Sequence, residues 1–149
     1  MATAERRAEV IWEGALEHGR GELELKSGAA GALPVTWASR TRRSDGKTSP
    51  EELIAAAHAS CFAMALSHGL TQGGTPPERL DVEAACTLDQ TDQGLRITGV
   101  HLDVGGVVPG IDEEGLEKAA AEAKDGCPVS NALKDNLAVS VTAHLEPGE

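Results

Sequence analysis

The 149-residue chain sets 13 Lys and Arg against 24 Asp and Glu, a formal net charge of −11. Its length predicts one domain, residues 1–149, and the excess of acid excludes nucleic-acid binding, which needs clustered cations to displace counterions. The longest apolar stretch, Leu53 to Leu66, is shorter than the ~20 residues that span a bilayer, and Met1–Val10 is too charged for a signal peptide.

A soluble, cytoplasmic protein follows as the expectation, with its three cysteines largely reduced. The only aromatic residues are Trp12, Trp37 and Phe62. A core of Ala, Val, Leu and Ile leaves little stability in reserve, so a second copy covering more apolar surface is expected: a homodimer.

The N-terminal third reads as strands. Val10, Ile11 and Trp12 mark Glu9–Leu16, Leu23 and Leu25 alternate with acids across Gly21–Lys26, and Val35 and Trp37 mark Leu33–Ser39. Glycines between them predict turns, and the three form an antiparallel meander with one wet face. Arg40 to Ser49 is polar and reads as a loop.

Ser49-Pro50-Glu51-Glu52 then opens a helix. Ser49 suits the N-cap, Pro50 the first helical position, and the acids complement the dipole, with Glu52 at capping-box spacing. Leu53 to Leu66 is apolar nearly all round, which predicts a buried, central helix ended by Gly69 and then by Gly73–Pro77.

Asp81–Asp89 alternates Val82, Ala84, Cys86 and Leu88, and a hairpin turn occupies Asp89–Gly94. Leu95–Val108 changes phase at Gly99, where a bulge is expected. Asp112 caps a helix to about Lys124 that Gly126 should stop; Pro128 starts a short helix, and Leu137–Leu145 alternates as a last strand. The fold class is α+β.

The cysteines differ in what surrounds them. Cys86 shares a strand face with apolar neighbours and reads as a small buried hydrophobe. Cys127 precedes Pro128 at a predicted N-cap, where backbone N–H groups favour a thiolate; the alternative is a buried turn cysteine. Cys61 lies mid-helix, where burial alone raises its pKa and makes it inert. A reactive Cys61 needs an imported cation, from His58, His68 or an arginine of the Arg40–Arg43 segment. His58, Cys61 and His68 form neither CxxC nor HxxxH, so no metal is expected.

The run Pro50-Glu51-Glu52-Leu53-Ile54-Ala55-Ala56-Ala57-His58-Ala59-Ser60-Cys61-Phe62 resembles the signature helix of the OsmC/Ohr family of hydroperoxide reductases. Val108-Pro109-Gly110-Ile111 and Gly126-Cys127-Pro128-Val129-Ser130 resemble its later landmarks in the same order, and Ala57-His58-Ala59-Ser60-Cys61 points to the OsmC (osmotically inducible protein C) branch. The resemblance implies antiparallel sheets around a buried central helix, an intertwined homodimer, and a stress-defence thiol peroxidase that reduces organic hydroperoxides to alcohols. It makes Cys61 the peroxidatic cysteine, Cys127 the resolving one, Glu51 the catalytic glutamate and Arg40 the best match to the essential arginine. The related Ohr branch would put that arginine at Arg20. A dihydrolipoyl-type dithiol is the implied reductant, and no cofactor is implied.

Glu51 and Cys61 are ten residues apart, about 15 Å along one unbroken helix. Either the helix breaks or Glu51 reaches the Cys61 of a partner chain, and the partner arrangement is the expectation. Two further readings stand beside the peroxidase. One is a cysteine-dependent hydrolase or acyl-transfer enzyme with His58 or His68 as base. The other is a non-catalytic redox sensor.

Overall fold

The computed structural model describes residues 2–148. The chain divides between Leu53 and Ile54 into two compact units.

The first unit holds a three-stranded antiparallel sheet in the order β1 (Ala8–Glu13), β2 (Arg20–Leu25), β3 (Leu33–Val35). Val10 pairs with Leu23 and Trp12 with Gly21, which in turn faces Val35. Gly21 has to be glycine: a Cβ there would lie 2.8 Å from Val35 and 2.9 Å from the Trp12 ring. The expected single wet face is found on β2, where Gly21 and Leu23 are buried between exposed Arg20, Glu22 and Glu24, but not on β1. All six residues of β1 are exposed, Val10 and Ile11 more than half.

The third strand is also shorter than its sequence suggests. Thr36 turns extended and caps a short helix, α1 (Trp37–Thr41), through a capping box with Ser39. Two hydroxyls satisfying the first backbone donors outweigh the strand pattern of Val35 and Trp37. The Ser39 hydroxyl also donates to the Thr48 carbonyl at 2.8 Å, and the Thr48 N–H to the Pro34 carbonyl at 2.9 Å. Arg40 therefore stands on a tied helix rather than a free loop.

Helix α2 runs unbroken from Pro50 to Gln72, 23 residues. Ser49 caps it, its hydroxyl accepting from the Glu52 N–H at 3.1 Å, while the Glu52 carboxylate turns to the Thr48 hydroxyl and leaves the capping box half made. The helix passes through Gly69 and ends before Gly73. At this length it is long and apolar enough to cross a membrane, which the shorter apolar stretch had argued against. Its buried stripe is His58, Phe62, Leu66 and Leu70, the last three packed in the core of the second unit. The helix is not buried all round: Ala56, Ala57 and Met64 are exposed.

The second unit pairs β4 (Arg79–Thr91) with β5 (Gly94–Val107) as an antiparallel hairpin and adds β6 (Ala138–Leu145) parallel to β5. This sheet is mixed, not antiparallel, because α3 (Glu113–Gly126) and α4 (Pro128–Leu133) form a crossover that returns the chain in the same direction. The bulge falls at Thr98, beside the expected Gly99. Cys86 is half-buried on the face of Val82, Ala84 and Leu88, as its spacing predicts, whereas Leu95 at the hairpin is exposed. Phe62, Leu66, Leu102, Val104, Leu116 and Ala120 close the core between sheet and helices.

Gly126 does not stop α3 with a left-handed turn, since its φ is not positive. Helix α3 ends because Cys127, at φ −72° and ψ 122°, precedes proline, and the Pro128 ring excludes helical backbone at the residue before it. Cys127 is thus the last cap of α3 and the first of α4.

Candidate active site

Arg40 and Glu51 form a candidate cluster in the first unit. Arg40 Nε donates to Glu51 Oε1 at 2.9 Å and Nη2 to Oε2 at 3.1 Å, a two-pronged ion pair. The Glu51 side chain is 8 % exposed and that of Arg40 32 %, so the carboxylate is buried while one edge of the guanidinium stays open. The tied α1 supplies the arginine and the first turn of α2 the glutamate. Arg42 and Arg43 are exposed, and Arg20 lies on the surface 4.0 Å from Glu13. An apolar cavity of about 530 Å³, lined by Val10, Trp12, Leu16, Trp37 and Leu53, adjoins Arg40.

Cys61 and Cys127 form a separate candidate cluster in the second unit. Both are free thiols, Cys127 buried and Cys61 half-buried, and each lies within hydrogen-bonding reach of the other. Burial pushes the Cys61 thiol up, the neighbouring Cys127 adds to the rise, and the Val129 N–H opposes it. Burial pushes Cys127 up too. There the Ser130 N–H and hydroxyl, the Cys61 thiol and the Val129 N–H outweigh it, so Cys127 falls below the ordinary thiol value. Cys127 makes no regular capping bond to α4; these donors act on it as a cluster of oriented dipoles.

A cavity of about 520 Å³ opens at Cys61, lined also by Met64, Ala65, His68, Ala123 and Pro128. The size and lining suit a small, partly apolar molecule.

His58 does not supply the cation that Cys61 needs. It is fully buried, its Nε2 lies 2.7 Å from Ser130 Oγ, and burial holds its pKa below the usual imidazole value, so the ring is neutral. Nor does α2 break between Glu51 and Cys61. Among the described residues, no group of three His, Cys, Asp or Glu is placed to hold a metal ion.

Sequence reasoning missed the His58–Ser130 bond. The residues are 72 apart, and the only hint was a histidine in an otherwise apolar run. It also missed α1, for which Thr36 and Ser39 at N-cap and N3 spacing were a readable signal.

The family description OsmC-like protein matches residues 43–142. The chain belongs to the OsmC-like family. It is 39% identical to peroxiredoxin OsmC of Escherichia coli over 135 residues, covering 91% of this chain and 94% of that one. It is 34% identical to the organic hydroperoxide resistance protein OhrA of Bacillus subtilis over 116 residues, 74% and 75% of the two chains. Among solved structures, an organic hydroperoxide resistance protein OsmC from Legionella pneumophila superposes with a TM-score of 0.76 at 26% identity, covering 96% of this chain and 98% of that one. OhrB of Bacillus subtilis gives 0.71 at 25% identity, covering 94% and 98%. The OsmC-like chain is thus homologous to a peroxiredoxin, an enzyme of the peroxidase class, and shares the α+β fold of OsmC and Ohr proteins.

Proposed function

We propose that this OsmC-like protein reduces organic hydroperoxides to alcohols by a two-cysteine cycle, at a site completed by a second copy of the chain. The apposition of Cys61 and Cys127, two free thiols within hydrogen-bonding reach of each other, carries the reading. In the cycle, the Cys61 thiolate attacks the distal peroxide oxygen. The O–O bond breaks, the alkoxide leaves and takes a proton to become the alcohol, and Cys61 is left as sulfenic acid. The Cys127 thiolate then attacks the Cys61 sulfur, hydroxide leaves as water after protonation, and a disulfide forms. A dithiol of the dihydrolipoyl type reduces that disulfide by two exchange steps, becoming a disulfide itself.

Burial leaves Cys61 a poor thiolate without a cation. Arg40, with Glu51 fixing its orientation, is suited to supply one and to steady charge on the departing alkoxide. The separation of Glu51 and Cys61 along a continuous helix supports an arginine supplied to Cys61 by the partner in a homodimer. Exposed Val10, Ile11, Trp12, Leu16 and Met64 give such a dimer apolar surface to bury. The apolar cavity at Cys61 favours an alkyl or aryl peroxide over hydrogen peroxide. Oxidative and osmotic stress defence in the cytoplasm is the matching role. The hydrolase reading loses one of its two candidate bases, since His58 is turned to Ser130.

Turnover of cumene hydroperoxide with dihydrolipoamide, run beside hydrogen peroxide and a Cys61→Ser control, tests the reading. Turnover of the organic peroxide that the control lacks is the expected result. No consumption by a protein with intact thiols would overturn it.

A further inference from the structure

The bond between His58 and Ser130 has no part in the cycle above. His58 Nε2 and Ser130 Oγ are 2.7 Å apart and both residues are buried. His58 Nδ1 is buried as well and has no hydrogen-bond partner. That asymmetry selects the tautomer. A proton on Nδ1 would strand a buried donor and force the serine to spend its single proton on Nε2. A proton on Nε2 leaves only a bare acceptor unpaired and makes the imidazole the donor to Ser130 Oγ.

The serine hydrogen is then free to point elsewhere. Ser130 is the third residue of α4, one turn after its N-cap Cys127, and its hydroxyl lies within reach of the Cys127 sulfur. We propose that His58 and Ser130 are a positioning pair for Cys127: the Nε2–H of neutral His58 donates to Ser130 Oγ and thereby aims the serine proton at the Cys127 sulfur. A donor fixed in this way favours the thiolate both when Cys127 attacks Cys61 sulfenic acid and when it departs from the disulfide during reduction. The pair acts through Cys127 and touches no substrate. This inference rests on the peroxidase reading for its purpose, but not for its geometry.

The test is a titration of Cys127 followed by NMR of protein labelled with 13C at the cysteine Cβ. It is run in the Cys61→Ser background, which removes the other thiol of the coupled pair. Ser130→Ala should raise the Cys127 titration by about one pH unit, a tenfold loss of thiolate at pH below it, the size expected for one hydrogen bond to a charged sulfur. His58→Gln places an amide donor near Nε2 and should restore most of the original value, whereas His58→Leu should match Ser130→Ala. In the native cysteine background, Ser130→Ala should slow disulfide formation after peroxide addition by roughly the same tenfold factor. A Cys127 titration unmoved by Ser130→Ala would overturn the proposal, as would His58→Gln shifting it as far as the alanine does. Ser130→Ala is a small change, so the test does not depend on His58→Leu folding. The titration needs no turnover, so it stands or falls separately from the peroxidase reading, whose failure would show as no peroxide consumption by the unaltered chain.

Discussion

Arg40 grips Glu51 through two hydrogen bonds, one to each carboxylate oxygen, and the carboxylate is the more buried partner. The geometry separates Arg40 from Arg42 and Arg43, which point to solvent a few residues on. Glu51 holds the guanidinium plane, and the open edge of Arg40 is left for another anion. Arg40→Met should lower kcat/KM for cumene hydroperoxide by roughly a hundredfold, the scale of losing one oriented charge at a reacting centre. Arg42→Met should change it less than about twofold. Steady-state kinetics of the two variants checks this, and equal losses would mean that Arg40 is not the arginine serving Cys61.

Where the cation for Cys61 comes from can be read by mixing chains. Arg40→Met and Cys61→Ser homodimers should each be inactive. After unfolding and refolding an equal mixture, half of the dimers are mixed, and each mixed dimer holds one site with both residues intact if the arginine crosses to the partner. Activity should recover to about a quarter of the unaltered protein's. A site built within one chain would give none.

Much of this was open to sequence reasoning because it depended on local chemistry. The Ser49–Glu52 start of α2, the turns, the alternation of β4 and β6 and the N-cap position of Cys127 each follow from a few adjacent residues. Long-range relationships were not legible. The parallel placement of β6 depends on how the α3–α4 crossover packs, and the His58–Ser130 bond joins helices far apart in sequence. The uncovered face of β1 also escaped, because alternating residues announce an apolar face but not what covers it. Family resemblance named Cys61 and Cys127. It could not name the donors around Cys127, the Ser130 N–H and hydroxyl and the Val129 N–H, which favour its thiolate.

Phe62 is the only phenylalanine, and its side chain is fully buried beside Leu66, Leu102 and Leu116. With so few aromatic residues, the core has no comparable group to close the space. Phe62→Ala should therefore destabilise the fold by about 3–5 kcal/mol. Phe62→Leu, which keeps most of the volume, should cost about 1.5 kcal/mol or less. Urea unfolding of both variants checks the order, and similar midpoints would show that the site collapses around the lost ring.

His58 also sets a pH dependence whose sign can be worked out. Burial holds its folded pKa below the usual value, and the group at its Nε2 is the Ser130 hydroxyl, which does not titrate in this range. The unfolded chain takes up a proton at about pH 6.5, whereas the folded chain resists until the pH is lower. Between those values the unfolded state binds more protons, so the free energy of unfolding falls as pH falls. The contribution of neutral, buried His58 is complete above about pH 6.5 and is lost on acidification, by at most about 1.4 kcal/mol per pH unit. His58→Gln removes this titration and leaves the other groups unchanged. The stability advantage of the native chain over His58→Gln, measured by urea unfolding at pH 7.5, 6.5 and 5.5, should hold between the first two and shrink at the third. An advantage that stayed constant across the series would mean that His58 keeps an ordinary pKa in the folded chain.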